Sequence, residues 1–511
     1  MGQFRFAGWR HLGLVGSVVA GLLVGGAVAI RPLTALIVVA FVACLAICLA
    51  SPTTMAALAT FTAFASLPDS LHVGKVFGPI GFDIQDVLVI FAIFALLLKV
   101  KLRLSDIQPA ASFTVVILLG LVIGISTGNE LSRNLGEVKI LFIAVSGFLL
   151  GALVVHAGLL RQTIRAFGLI LWFSAAMVLM SSASGLRLAG RNETLEGGVG
   201  DTATRILTNT QTPALIALTA LVVLTVVGRI GSKPWLWYGI PAAVILLLGF
   251  SRNTLLALTI GAALSLLFAF SWQSVRRITI MAVAGLACAS FSAGALYLLQ
   301  GSASANWANG QIRGYFDRVF EGTSTDALSK DPSTLYRLRE NDNLIQAFWE
   351  APLFGHGFGY AYQPPIGASG FFAAIDGPYY AHNFYLWILV KAGVIGFVGF
   401  ACFAVPPAVR AARDGRTFTR AAGIVSISML IICLVNPLPL GSANSLALGL
   451  TLGCAAALGK VGSQSLPPPS PTAVAVGRPS GGLEERHQYT FATPEGSYGQ
   501  RQRRELRLAD G

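Results

Sequence analysis

The sequence predicts an all-α polytopic membrane protein, and three observations carry that expectation. Of 511 residues, 54% are hydrophobic and only 12% are charged, whereas an ordinary soluble domain is about 25% charged. Mean hydropathy is +0.70. Apolar runs of bilayer length recur along most of the chain, more than a soluble fold of this size could bury. A secreted enzyme, a cytosolic enzyme and a nucleic-acid-binding domain are excluded on that ground. The formal charge of +13, from 36 Lys+Arg against 23 Asp+Glu, would suggest a nucleic-acid partner in a soluble chain. Here the excess of Lys and Arg in short cytoplasmic loops accounts for most of it.

A hydrocarbon core about 30 Å thick needs about 20 apolar residues per helix. About fourteen transmembrane helices are expected, near 12–30, 33–50, 53–67, 84–100, 110–127, 135–156, 163–182, 211–228, 235–250, 254–271, 278–299, 383–405, 421–436 and 443–459. The third is short enough to be re-entrant. Ala27-Val28-Ala29 has the small-x-small form of a signal-peptidase site. The run before it exceeds the roughly 7–15 residues of a signal core, so a retained span is expected. Gly21 and Gly25 would let it pack closely on a neighbour.

Basic residues set the orientation. With Arg5 and Arg10 inside, the loops holding Lys99/Lys101/Arg103, Arg161/Arg165, Arg229/Lys233, Arg276/Arg277 and Arg410/Arg413/Arg416/Arg420 all fall on the cytoplasmic side. The expected organisation is helices 1–11 over residues 1–299 and an extracytoplasmic loop subdomain over 300–381. Helices 12–14 follow over 382–460, then a disordered cytoplasmic tail over 461–511 that holds Pro467-Pro468-Pro469 and Arg501, Arg503, Arg504 and Arg507. The six cysteines, Cys44, Cys48, Cys288, Cys402, Cys433 and Cys454, all lie in apolar runs. They form neither a disulfide framework nor a Cys-based metal site.

Several chemistries find no support. Gly74-Lys75 and Gly459-Lys460 lack the following Ser or Thr of a phosphate-binding loop. Gly124-Ile-Ser126-Thr-Gly128 fits G-x-S-x-G but ends a transmembrane run, without the strand a nucleophile elbow needs. No Asp-x-Asp pair and no Asp/Glu/His cluster has metal-ligand spacing. Glu137 and Lys139, two apart and so on different helix faces, suggest either an ion pathway, as intramembrane charges do, or a structural role, since both lie near enough to the outer interface to snorkel.

The informative residues stand at helix ends. Arg252, in Gly249-Phe-Ser-Arg-Asn253, sits between two long apolar runs. It is either an interfacial anchor or a bidentate clamp for a phosphate-bearing head group. Arg337 and Arg339 open an amphipathic stretch to Ala351, with Leu338, Ile345, Phe348 and Ala351 along one side. Pro352 stops it, and Gly355-His356-Gly357-Phe358-Gly359 follows as a tight turn. By itself, a solvated helix face accounts for the arginines. His382 precedes the next span within Tyr379-Tyr380-Ala-His382-Asn383-Phe-Tyr385. It is either part of an interfacial aromatic belt or a neutral imidazole able to act as a base.

The run Arg337, Pro352-Leu-Phe-Gly355-His-Gly357-Phe-Gly359, His382-Asn383 and Gly393-Val-Ile-Gly396 resembles the O-antigen ligase/polymerase family of bacterial envelope proteins. Ser251-Arg252 resembles that family's other arginine site, and Asp83-Ile-Gln-Asp86 its early segment; the likeness covers roughly residues 80–440. Asn341 departs from it, standing where relatives often carry Trp. The resemblance implies a glycosyltransferase of GT-C-like architecture in the bacterial cytoplasmic membrane, with both termini inside. It would move a glycan from a polyprenyl (undecaprenyl-type) pyrophosphate to an acceptor hydroxyl on a glycan, lipid or other molecule, at the outer face. No metal, nucleotide or other cofactor would be needed, because a pyrophosphate leaving group is already activated. Arg252 and Arg337, with Arg339 as a lesser candidate, would hold the pyrophosphate. His382 would be the general base of an inverting displacement, and Tyr336, Asn383, Gly355 and Gly357 would support it. Trp307, Tyr360, Tyr379 and Tyr380 could stack on sugar rings, though packing is the commoner role.

Ligase and polymerase would share these parts, so both stay open. The alternative of another class is a transporter of a small solute or envelope precursor. That activity would place functional polar groups near the bilayer midplane on broken helices, whereas the candidates here cluster at an outer boundary. The topology is testable on a cysteine-free background. A Cys at Ser324 should be labelled from outside and one at Ser470 should not; the reverse pattern overturns the orientation.

Overall fold

The computed structural model describes residues 46, 50–71, 83–194, 203–228, 230–298, 302–319, 332–366 and 372–463. Among these the chain is helical apart from one antiparallel hairpin and an isolated bridge, Pro68 to Leu188. In order the elements are α1 (Pro52–Phe64), α2 (Ile84–Leu97), α3 (Leu104–Ser126), α4 (Leu131–His156) and α5 (Leu160–Ser184). Next come β1 (Arg191–Thr194) and β2 (Thr204–Leu207), paired from Arg191↔Leu207 to Thr194↔Thr204. There follow α6 (Gln211–Val227), α7 (Ser232–Leu248), α8 (Asn253–Phe268), α9 (Trp272–Leu298), α10 (Ala303–Val319) and α11 (Pro332–Glu350). The last are α12 (Phe372–Ile375), α13 (Phe384–Ala412), α14 (Thr417–Ile432) and α15 (Ser442–Ser463).

Each span expected from 53–67 onward coincides with a helix. Those at 12–30 and 33–50, with the Ala27–Ala29 and Gly21/Gly25 features, lie outside the described residues, as does the tail beyond Ser463. α3, α4, α5, α13, the Trp272–Gly294 part of α9 and the Ser442–Lys460 part of α15 are long and apolar enough to cross a membrane; α2, α6, α7, α8 and α14 are shorter apolar helices. The chain is a multi-pass helical membrane protein. α1, with 13 residues, is about 20 Å long at 1.5 Å per residue, too short to cross alone.

Lipid tails are as apolar as leucine, so helices associate in a bilayer mainly by close packing. Two regions show how. Phe113 of α3 stacks on Phe403 of α13 with centroids 5.1 Å apart, and Phe148 of α4 meets the same Phe403 at 5.2 Å. α4 and α15 instead approach backbone to backbone through two reciprocal Gly-x-x-x-Gly pairs. A Cβ at Gly147 would stand 2.5 Å from Leu446 O, and one at Gly151 would collide with Leu450 O. From the other side, side chains at Gly449 and Gly453 would strike Ala144 O and Phe148 O. The α4 amino end is tied to α2 by Lys139, whose Nζ lies 2.8 Å from Asp86 and 3.4 Å from Asp83.

Gly449→Leu is therefore expected to cost about 3 kcal/mol or more of stability, read as loss of the folded monomer in detergent on heating. Gly285→Leu, on α9 where nothing lies within 4 Å, should leave the thermal transition unchanged.

Candidate functional site

The site is organised around a break in α13. Gly393 has φ 64° and ψ −166°, outside the helical region. A broken ladder in a membrane helix must be satisfied by other groups, and here a turn at residues 352–359 supplies them. Val394 N donates to Pro352 O at 2.9 Å and Ile395 N to Leu353 O at 3.3 Å. His356 N and Gly357 N donate to Val390 O and Lys391 O, both at 2.9 Å. Gly355 and Gly357 adopt φ of 70° and 82°, which glycine alone reaches without cost. Neither position has room for a side chain: a Cβ at Gly355 would lie 2.5 Å from Lys391 C, and one at Gly357 would collide with Gly124. These glycines support the site through the backbone. Gly124-Ile-Ser-Thr-Gly128 is the end of α3, and Gly357 packs against its Gly124, while Gly355 packs on α13.

A buried ion pair fixes the turn from beneath. Lys391 Nζ lies 2.6 Å from Glu137 Oε1 and donates to Tyr360 O at 2.7 Å, while Gly359 N donates to Glu137 Oε2 at 2.7 Å. The Lys391 side chain is fully buried. Glu137 and Lys139 each close an ion pair to another part of the bundle, Glu137 with Lys391 and Lys139 with Asp83 and Asp86. Lys391, a lone cation in a long apolar run, was the signal that a partner had to exist.

Asn383 caps α13, its Oδ1 accepting from Tyr385 N at 3.0 Å and Leu386 N at 3.3 Å. That cap sets where His382 stands, immediately before the helix. The ring lies edge-on to Tyr380, centroids 5.4 Å apart, and to Tyr336 at 6.3 Å. Its Nδ1 lies 3.0 Å from Oε2 and 3.3 Å from Oε1 of Glu340, and its backbone N donates to the same Oε2 at 2.8 Å. Glu340 is 1% exposed. Tyr362 OH lies 3.2 Å from Glu340 Oε1 and donates to Tyr380 O at 2.5 Å. Gln363 Nε2 donates to Tyr336 OH at 2.9 Å and to Gly377 O at 2.8 Å. Burial, reinforced by the Glu340 charge and opposed by the Arg337 guanidinium, pushes the Tyr380 phenol up to about 12. Burial also carries Tyr362 well above the usual phenol range. Both phenols are neutral hydrogen-bonding groups at physiological pH.

α11 does form, but the amphipathic face differs from the expected one. Glu340, Leu344 and Ala347 are buried, whereas Leu338 and Ile345 are exposed. The helix faces α13 with the stripe that holds Glu340, because the polar partners of that carboxyl lie there. Tyr336 and Arg337 share this side. Both Arg337 and Arg339 are exposed, and Arg339 stands about 200° from Arg337 at about 100° per residue, on the other side of the helix.

Arg252 occupies a second cluster. α7 ends at Leu248 and α8 begins at Asn253, so the connection is as short as expected, with buried Phe250 at φ 46°. Arg205 of β2 donates from Nε to Gly249 O at 3.2 Å and pairs through Nη1 with Glu193 at 2.9 Å. The Arg252 charge acts on Arg205, so two guanidinium groups share this corner. Sequence reasoning missed Arg205 because it lies in a polar connection with no motif around it.

The remaining candidates pack. Tyr360 stacks on His356 at 4.0 Å, and His356 Nε2 lies 2.8 Å from Ala347 O. Tyr379 lies under Arg133 at 4.8 Å, and Trp307 Nε1 donates to Ser182 at 3.2 Å. Among the described residues no group of three or more His, Cys, Asp or Glu side chains is placed to hold a metal.

A helical multi-pass membrane protein with a polar site at the start of a broken helix is the class these features define. Residues 239–401 match the family model described as O-antigen ligase, which supports assignment to the O-antigen ligase/polymerase family. That segment contains Arg252, Arg337, Arg339 and His382. No curated protein matches the chain.

Removing one partner of a buried ion pair typically costs about 3–5 kcal/mol. Lys391→Met should lose that much stability in thermal unfolding, and adding Glu137→Gln should recover part of it by removing the stranded charge.

Proposed function

We propose that this protein is a membrane glycosyltransferase that transfers or polymerises a glycan from a polyprenyl (undecaprenyl-type) pyrophosphate onto an acceptor hydroxyl at the outer face of the cytoplasmic membrane. The observation that carries the reading is His382, at the head of a membrane helix inside the segment that matches the O-antigen ligase model. It stands edge-on to Tyr336 and to Tyr380, on whose phenol the Arg337 charge acts, and its Nε2 has no protein partner among the described residues. Nε2 takes the proton of the acceptor hydroxyl as that oxygen attacks the anomeric carbon, and the pyrophosphate leaves from the opposite side, so the configuration inverts. Arg337, on the His382 side of α11, and Arg252 neutralise the leaving group. Neither needs a metal, since two guanidinium forks can match the phosphate oxygens directly. Asn383 sets the position of His382 by capping α13.

Transport is the competing reading, and the break in α13 is the one feature that favours it, since transporters bind substrates at broken helices. Here the broken segment is occupied by the turn at residues 352–359, and Lys391 is committed to Glu137 and Tyr360 O.

Positioned base catalysis contributes about 10²–10⁴-fold, so His382→Ala should abolish visible glycan transfer in an assay with purified lipid-linked donor, at normal membrane levels. Arg252→Ala and Arg337→Ala should raise the donor KM, Lys at either site should restore only part, and Arg339→Ala should be the mildest. Near-normal transfer by His382→Ala would remove the base assignment. Activity should also persist in EDTA; complete loss restored by magnesium or manganese would remove the arginine-only account of the leaving group.

A further inference from the structure

We propose that Glu340 is the positioning carboxylate of this site, one that fixes the tautomer of His382 and stabilises the imidazolium formed when the acceptor is deprotonated. The inference rests on the glycosyltransferase reading and adds to it a residue that the sequence motifs do not single out. Burying an ionised carboxyl is costly unless it is paired and hydrogen-bonded. Glu340 is 1% exposed, and its partners are His382, through both the backbone N and Nδ1, and the Tyr362 hydroxyl.

A carboxyl that merely fastened the loop to α11 would need only the bond from His382 N at 2.8 Å. The further approach of both oxygens to Nδ1, at 3.0 and 3.3 Å, does something else. A carboxylate only accepts, so Nδ1 carries the hydrogen and the lone pair of the neutral ring is left on Nε2. Tyr362 and Tyr380 lock the arrangement. The Tyr362 hydroxyl donates to the Tyr380 carbonyl with Glu340 Oε1 3.2 Å away, so the residues on either side of Ala381 are both held next to the same carboxyl. α11 supplies the carboxylate from a helix rather than a loop, which holds its position more rigidly.

The step then balances as follows. The acceptor O–H bond breaks and its proton goes to Nε2. The acceptor oxygen bonds to the anomeric carbon, and the bond from that carbon to the pyrophosphate oxygen breaks, the electron pair leaving with the pyrophosphate. The imidazolium so formed stands 3.0 Å from Glu340 in a largely buried setting, where the attraction is stronger than in water. Glu340 touches no reacting atom. It acts through His382.

Two readouts test this on the full-length protein in detergent or nanodiscs. In Glu340→Gln the amide oxygen can still accept from His382 N while the charge is gone. Its kcat should fall about 10²-fold or more with the donor KM unchanged, and Glu340→Asp should recover part of the loss. Independently of turnover, ¹⁵N spectra of histidine-labelled protein, with His382 assigned by its absence in His382→Ala, should show the Nδ1–H tautomer in the wild type and its loss or mixing in Glu340→Ala, which leaves Nδ1 no acceptor. A wild-type ring protonated only at Nε2, or a Glu340→Gln enzyme with near-normal kcat, overturns the inference. A stable His382→Ala protein with near-normal transfer overturns the general-base reading beneath it instead, and the tautomer measurement tells the two failures apart.

Discussion

A backbone that leaves its own helix inside a membrane has nowhere to put its polar groups unless another part of the protein receives them. That constraint, at Gly393, governs the rest of this structure. The chain meets it by carrying residues 352–359 back into the helix bundle and threading them against the break, where the two stretches exchange hydrogen bonds in both directions. Three helices must then accept a backbone at contact distance: α13 at Gly355, α3 at Gly357 and α4 at Gly359. Lys391 and Glu137 close the assembly. Their ion pair joins α13 to α4 and at the same time satisfies Tyr360 O and Gly359 N, so the turn and the helices cannot shift independently.

The polar site follows from that anchoring. Because the turn ends α11 against the middle of α13, the other half of α11 is carried alongside the start of α13, where Asn383 caps the helix and His382 precedes it. The carboxyl of Glu340, about two turns before Ala347 at the end of the buried stripe, is delivered to the imidazole by helix geometry alone. The glycines of that turn meet the helices through the backbone and set the angle and depth at which α11 lies.

Much of this was legible in the sequence, for physical reasons that differ by feature. Apolar runs from 53 onward marked helices because membrane helices are apolar nearly all round. Arg252, Arg337 and His382 stood out because cations and imidazoles at helix ends are few. Glu340 did not, being one carboxylate in the charged run Arg337 to Asp342; only the fold shows that it is the one buried. The side of α11 was misjudged for the same reason, since the stripe with more carbon, Leu338 and Ile345, is exposed, and the side with the hydrogen-bond partners is inside. Glycines 147, 151, 449 and 453 carry the small-residue spacing plainly, but spacing says nothing about which distant helix will fill the groove.

The α4–α15 contact has a consequence for biogenesis. Its two faces are far apart in the chain, as the bond from Cys454 to Gly151 O across 303 residues shows. At a synthesis rate of about 5–20 residues per second, α4 waits roughly 15–60 s in the membrane before α15 exists. Throughout that interval its glycine face, shaped for a backbone, lacks the partner that fills it in the finished fold. The bundle can therefore close only late in synthesis, and a nascent chain halted before residue 442 would expose the same narrow seam to any neighbouring helix with small residues at the right spacing.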